Sequence, residues 1–329
     1  MADFIHKPVL MAEVVESLQI RPGSLCLDGT VGGGGHAAAI LKASAPNGRL
    51  IGCDRDGSAV AAAKARLSEF AGRFEIRQGN YADMAEWVEP ESCDGVLLDL
   101  GVSSPQLDEP GRGFSFQQDG PLDMRMDQGR GATAADLLNR LGADELAKIF
   151  WEYGGEKDSR RLARAIVQER QSGALERTRQ LAALIERISP GAGRRTHPAT
   201  KVFLALRIAV NDELGSLKRG LEAAVKVLKP GGRLAVITFH SVEDRMVKEF
   251  GRRLSRDYEP AAGVDAPDLR RARPPQLRWA RRKAIVPGAE EIRENPRSRS
   301  AQCRVFEKLE SRPGSRQANE KELNHHGPK

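Results

Sequence analysis

An α/β fold, with a mostly parallel sheet interrupted by an all-helical insert, is predicted by three observations. Short apolar runs end in an acid at Asp28, Asp54 and Asp99. Four consecutive glycines, Gly32 to Gly35, follow the first run and lead into an alanine-rich segment. Strand signals stop across residues 113–212, where apolar spacing turns helical, and return at Arg233.

Residues 25–36 read as strand, glycine loop and helix. Glycines suit a backbone that turns sharply where a ligand approaches with no Cβ in the way. The N–H groups that open the following helix point at any polar group in the loop. Asp54 closes a second strand, 49–54, about as far beyond the loop as a ribose-binding carboxylate should stand. Strands at 73–78 and 94–100 follow, and the fourth leads into Val102-Ser103-Ser104-Pro105-Gln106. Ligands in open α/β sheets sit outside the carboxyl ends of the strands, so Asp28, Asp54 and Asp99 are expected to line one crevice.

Residues 108–130 are rich in glycine and charge without periodicity, and should be ordered only if something holds them. Thr133 is placed to cap a helix with Asp136 three residues on. Leu162, Ala165, Ile166 and Glu169 suit one amphipathic helix, and Leu181, Leu184, Ile185 and Ile188 another. A helix through 221–228 is stopped by Lys229-Pro230-Gly231-Gly232 before a strand at 233–239. Residues 300–308 alternate as an edge or hairpin strand, and 311–329 read as a disordered polar tail. The division expected is a sheet domain from 1–112 and 213–310, a helical domain from 113–212, and the tail.

The 329 residues and 40% hydrophobic content support a sizeable core. A net charge of +7 and a pI near 9.4 permit a polyanionic partner. Cys26, Cys53 and Cys93 fall at or beside strands and read as reduced, buried thiols. No C-x-x-C spacing marks a metal site, and His325 and His326 read as solvated tail residues. Without a signal peptide or an apolar run able to cross a bilayer, a cytoplasmic protein with no membrane partner is expected. Arg270, Arg271, Arg273, Arg278, Arg281, Arg282 and Lys283 surround Trp279, a pattern suited to phosphate contact with stacking by the indole. A homodimer is compatible with the sequence.

The Lys229-Pro230-Gly231-Gly232 stop resembles class I methyltransferases, and the glycine loop lacks G-x-G-x-x-G spacing because Ala38 and Ala39 stand where its last glycine would fall. A nicotinamide oxidoreductase is therefore the second reading. Several runs together resemble the bacterial 16S ribosomal RNA (cytosine-N4)-methyltransferase H family. They are His6 to Leu10, Asp28 to His36, Asp99 to Gln106, Gly120-Pro121-Leu122-Asp123-Met124-Arg125-Met126, His197 to Lys201, Phe239 to Arg245 and Asn295 to Ser300. The resemblance spans almost the whole chain except the tail. It implies a class I (Rossmann-like) methyltransferase sheet with an inserted helical substrate-recognition domain. It also implies S-adenosylmethionine as donor, no metal, and a decoding-centre cytosine of 16S rRNA in the small ribosomal subunit as acceptor. Donor contacts carried over position by position are Gly34, Gly35, His36, Asp54, Tyr81, Asp99 and Gln106, with Tyr81 where the family often has phenylalanine.

Cytosine N4 is a poor nucleophile because its lone pair is delocalised into the ring. Acceptors around the amine can turn that lone pair toward a methyl group and receive the developing charge. Asp99 and the carbonyls of 101–105 stand at the right strand end, with Ser104 as a candidate amine acceptor. Asp99 is divided between donor binding and catalysis, the former favoured. His240 reads as a base or substrate contact, or as a structural hydrogen bonder. His197 reads as a substrate contact or as a helix cap before Pro198. Asp123, Arg125 and Lys201 are candidates for holding RNA or the base, with ordinary ion pairs as the competing reading. Methylation at C5 requires a thiolate, and neither Cys93 nor Cys303 is suitably placed, so nitrogen or oxygen is the expected acceptor. The base must be extruded or single-stranded, N4 being a pairing edge. A non-catalytic ribosome-assembly RNA-binding protein is a third reading.

Overall fold

The computed structural model describes residues 8–190, 197–260 and 265–310. The tail at 311–329, with His325 and His326, and the residues His6 and Lys7 lie outside them. Strands β1 (Leu25–Asp28), β2 (Arg49–Asp54), β3 (Phe74–Gln78), β4 (Cys93–Asp99) and β5 (Leu228–Thr238) run parallel in the order β3-β2-β1-β4-β5. After two short strands, β6 (Tyr258–Pro260) and β7 (Arg270–Ala272), which pair only with each other, the chain returns through β8 (Leu277–Trp279) and β9 (Gln302–Lys308). Strand β9 lies antiparallel between β5 and β8.

Both faces of this sheet are covered, which explains why its strands read as unbroken apolar runs. Side chains alternate between two cores, as the two-residue period of a strand requires. Cys26, Leu97, Ala235 and Ile237 pack on one side with α1 (Met11–Leu18), α2 (Gly35–Ala43) and α3 (Gly57–Arg66). Leu27, Val96, Leu98, Leu234 and Val236 pack on the other, beneath the helices Glu213–Val227 and Ser241–Leu254.

Two strand expectations change. Residues 302–308 are not at an edge, because Leu277–Trp279 takes the outer position and shields β9. Lys229-Pro230-Gly231-Gly232 is not a separate loop. It forms an irregular start to β5 opposite Cys93, where the register shifts.

Between β4 and β5 come α4 (Ser104–Asp108), α5 (Ala134–Arg140), α6 (Ala143–Glu152), α7 (Ser159–Glu169), α8 (Thr178–Ile188), α9 (Thr200–Asn211) and α10 (Glu213–Val227). Helices α5 to α9 close around their own apolar cluster, with Leu138, Phe150, Leu162, Ile166, Leu181 and Leu206 at its centre. Thr133 caps α5 reciprocally, its Oγ1 accepting from Asp136 N (3.0 Å) while Asp136 Oδ2 accepts from Thr133 N (2.9 Å). Asp212, in the left-handed region at φ 46°, separates α9 from α10 and lets the latter return to the sheet.

The aperiodic stretch 108–130 is held by two buried side chains. Arg112 donates to Asp56 Oδ2 (2.6 Å) and to the carbonyls of Arg125 and Met126. Asn211 Nδ2 donates to Met124 O (2.8 Å), and its Oδ1 accepts from Met126 N (2.8 Å). Backbone groups with no ladder to join thus find side-chain partners.

Candidate functional site

A cavity of about 580 Å³ opens off the carboxyl ends of β1, β2 and β4. The loop after β1 supplies Gly29, Thr30 and Gly32. Asp54, Tyr81, Asp99, Ser104 and Gln106 form the next part of the wall. Arg207 on α9, Glu213 on α10 and Phe239 and Glu243 beyond β5 face it from the far side. Asn295, Arg297 and Ser300 complete the rim.

Asp54 Oδ2 accepts from Gly32 N (3.0 Å) and Oδ1 from Asp56 N (2.9 Å). Burial raises its carboxyl to about 6 against the lowering effect of those backbone donors. Asp28 is more deeply buried, with Oδ1 accepting from Thr30 N (3.1 Å), and burial raises it to about 7. It is absent from the cavity wall, so of the three strand-end acids only Asp54 and Asp99 reach the crevice.

Asp99 is raised well above the ordinary carboxylate range, first by burial and then by the charges of Asp28 and Glu243. Its Oδ1 has no hydrogen-bond partner, and its Oδ2 lies 3.6 Å from His36 Nδ1. An unsatisfied buried acceptor is costly in a folded protein and is characteristic of sites completed by a ligand. Facing it, Glu243 is also buried, but His240 and Arg207 outweigh that burial and keep its carboxyl below the usual range.

Gln106 is on the wall with both ends of its amide engaged. Oε1 accepts from Ser103 N (3.0 Å), and Nε2 donates to Asp56 Oδ2 (2.9 Å). Asp56 also caps α3 through Ser58 N and receives Arg112. Burial tends to raise Asp56, but hydrogen bonds from Ser58, Gln106 and Arg112 bring it below its ordinary value. This acid, unremarked in the sequence, is the hub that fixes the 101–112 segment against the loop after β2. Its helix-capping position before Gly57 was the available signal.

Gly34, Gly35 and His36 are not on the cavity wall. Gly34 N donates to Val31 O (2.8 Å), inside the turn. A Cβ on Gly35 would lie 2.2 Å from Pro8 Cγ, so this glycine admits the N-terminal segment. His36 is buried with Nε2 3.0 Å from Val9 O and acts on the crevice through Asp99. The members of the loop that line the cavity are Gly29, Thr30 and Gly32, because the chain has already turned into α2 by Gly35.

The MraW methylase family model matches residues 3–309. The chain belongs to the MraW methylase family. A protein of Geobacter sulfurreducens named ribosomal RNA small subunit methyltransferase H is 50% identical over 311 residues, covering 93% of this chain and 99% of its own. One of the same name from Symbiobacterium thermophilum is 47% identical over 313 residues, covering 94% and 98%.

Most of the expected substrate contacts of this methylase are engaged elsewhere. Asp123 and Arg125 pair with each other, Nε to Oδ1 at 2.7 Å and Nη2 to Oδ2 at 3.0 Å, since two residues of spacing in a turn brings them together. His197 Nδ1 accepts from Ala199 N (3.1 Å) ahead of α9, and its Nε2 lies 2.5 Å from Glu186 Oε1. Lys201 Nζ donates to the Gly155 carbonyl (3.1 Å). His240 caps the helix Ser241–Leu254 through Nδ1, with Nε2 3.0 Å from Glu243 Oε1. Arg278 pairs with Glu307 (2.5 Å). Trp279 packs tilted on Phe306 with ring centroids 4.7 Å apart and donates Nε1 to Ser255 Oγ (3.1 Å), so its ring is fixed against the core.

The methylase places in the crevice three residues that sequence reasoning missed, namely Arg207, Glu213 and Glu243. Arg207 holds Glu213 with two hydrogen bonds (2.7 and 2.8 Å) across the α9–α10 junction. A lone arginine in the apolar run 202–210 was the signal for a buried partner. Glu213, His240 and Glu243 bring ligand-type atoms within 4.8 Å of one another. Arg207 already chelates Glu213, and Phe239 N donates to Glu243 Oε2 (3.1 Å), so protein groups occupy these carboxylates.

Proposed function

We propose that the protein transfers the methyl group of S-adenosylmethionine to N4 of a decoding-centre cytosine in 16S rRNA, on the small ribosomal subunit in the cytoplasm. It is an rRNA methyltransferase by family, and its relatives carry the small subunit in their names. The observation that carries the nitrogen assignment is the unpartnered Oδ1 of Asp99, buried on the cavity wall beside the ionised Glu243. An exocyclic amine offers hydrogens to such acceptors.

The wall suits a cationic adenosyl donor. Each cation on it is engaged by the protein: Arg207 by Glu213, Arg297 by Asp108, and Arg55 by the Asn211 carbonyl. Asp54 and Glu243 thus leave an acidic surface. A cavity of about 580 Å³ is within the range of ligand pockets, roughly 300–1,000 Å³. Asp54 is assigned the ribose hydroxyls, its oxygens keeping free lone pairs beside Gly32 N and Asp56 N. Tyr81 is assigned the adenine. Burial and the charges of Glu213 and Glu243 push its hydroxyl up, so it stays protonated.

When bound, the sulfonium supplies an electrophilic methyl group that needs only an aligned acceptor. Asp99 Oδ1, Ser104 and the 101–105 carbonyls accept the amine hydrogens and turn the nitrogen lone pair toward the methyl, and the proton shed by the methylated nitrogen passes to solvent. Glu243, held ionised by His240 and Arg207, adds negative potential on the far side. All four cysteines are buried, and none is on the wall. Burial pushes Cys303 up to about 12, which removes it as the thiolate that C5 methylation requires. The helical segment 113–212 is assigned substrate recognition, since α9 brings Thr200 and Arg207 from it to the cavity.

Methyl transfer from labelled donor to small subunits lacking the modification should yield N4-methylcytidine on nucleoside mass analysis. Recovery of 5-methylcytidine or a 2′-O-methyl nucleoside would refute the acceptor. A second expectation concerns pH. With Asp54 raised to about 6, donor affinity should grow roughly tenfold from pH 5 to pH 7 and be lost as the carboxylate protonates on acidification. Calorimetry on Asp54→Asn should show that dependence flattened.

A further inference from the structure

A second concavity, of about 280 Å³, lies between α11 (Ser241–Leu254) and the strands β8 and β9. It is lined by Lys248, Arg252, Arg282 and Arg304, with Trp279 as its apolar wall. Their nearby carboxylate, Asp244, is claimed by Arg304 through two hydrogen bonds (2.5 and 3.1 Å), and Lys248 Nζ stands 3.9 Å from it. Arg252 and Arg282 have no side-chain partner among the described residues.

Three other cations of the same run differ in this respect. Arg270, Arg273 and Arg278 are met by Asp265, Glu259 and Glu307. The basic run from 270 to 283 is thus neutralised in part, and Arg282 is the member of it that lines the pocket. Lys248 and Arg252 lie four residues apart on one helix face, an arrangement of like charges that disfavours the free protein and is relieved by an anion.

The pocket is firmly built. Gly251 admits the rings behind it, since a Cβ there would lie 2.2 Å from Phe306 Cε1 and 2.9 Å from Trp279 Cζ2. Trp279 is fixed by Phe306 and by Ser255 Oγ. Its location is also informative. Glu243, in the first turn of α11, lines the methyl cavity. Lys248 and Arg252 follow five and nine residues later, about 8 and 14 Å along the axis at 1.5 Å per residue.

We propose that Lys248, Arg252 and Arg282 form a binding pocket for a backbone phosphate of the RNA strand flanking the methylated base. The inference rests on the rRNA reading given above. A tetrahedral oxyanion takes donors from several directions, as two guanidinium groups and an ammonium converging from a helix and a loop provide. Holding the flanking strand there fixes the extruded base without touching it, so the pocket contributes to binding and register and not to the chemical step.

The test uses the full-length enzyme with small subunits lacking the modification. Arg252→Gln/Arg282→Gln should raise the KM for subunits about tenfold at low salt. It should also make the log–log salt dependence shallower by about 0.7, the contribution of one single-strand phosphate. The donor Kd and the kcat at saturating subunit should be unchanged, and Lys248→Gln should act in the same direction. Lys42→Gln/Lys64→Gln removes two charges on α2 and α3, which pack on β1 to β3 at the other edge of the sheet, and should leave both KM and slope as they were. An unchanged KM and slope in the Arg252/Arg282 variant would overturn the pocket, as would an equal effect in the charge-matched control. Absence of methyl transfer to rRNA by the unaltered enzyme would instead refute the underlying reading. Thermal unfolding of each variant separates lost binding from lost folding.

Discussion

Replacing Asp54 by alanine should weaken the binding of S-adenosylmethionine and S-adenosylhomocysteine by roughly 100-fold, measured by calorimetry at neutral pH. The carboxylate is assigned two ribose hydroxyls, and hydrogen bonds to a charged group contribute about 1.5–3 kcal/mol each. Their sum is not additive, so about 3 kcal/mol, or two decades, is the expected total. The same carboxylate orients Gly32 N and Asp56 N, and its loss also loosens the loop that faces the donor. Turnover at saturating donor should fall far less than affinity. Lost turnover with an unchanged donor Kd would remove Asp54 from the ribose.

Arg112→Met should destabilise the fold by about 3–5 kcal/mol, read as a lower urea midpoint, because it leaves a buried carboxylate without its counter-ion. The pair is among the most enclosed in the protein, with side-chain exposures of 8% for Arg112 and 6% for Asp56. Arg112 also satisfies the carbonyls of Arg125 and Met126, so 108–130 loses its main tie to the sheet. Gln106 is anchored on the same Asp56, and methyl transfer should therefore decline together with stability. Asp56→Asn combined with Arg112→Met should recover part of the loss, since neither charge is then left alone. Equal midpoints for Arg112→Met and the unaltered protein would show that the pair does not hold this segment.

Much of the fold was legible because it follows from local pattern. The acid-terminated runs became β1, β2 and β4, and the Thr133–Asp136 cap formed as its spacing indicated. The position of 302–308 was not legible: alternation describes a half-covered strand, and whether another strand shields its outer side depends on Leu277–Trp279, some twenty residues upstream.

The candidate site divides in the same way. Asp54, Tyr81, Asp99, Ser104 and Gln106 reach the cavity because strand ends and the turns just beyond them have few directions open. Asp123, Arg125, His197, Lys201, His240, Arg278 and Trp279 are candidates by motif and chemical type, and neither reveals a partner. Each found one in the folded chain, from the Asp123–Arg125 pair to the Gly155 carbonyl held by Lys201.

Residue order and spacing alone were enough for the α/β class, the strand ends and the methylase kinship of this chain, since hydrophobic period and short motifs are properties of neighbours along the backbone. The far wall of Arg207, Glu213 and Glu243, the Asp56–Arg112 tie and the unpaired cations beside Trp279 came only from folding in three dimensions. Those groups are brought together from helices, loops and strands separated by tens of residues or more, and desolvation and charge pairing among them depend on distances that linear spacing does not encode.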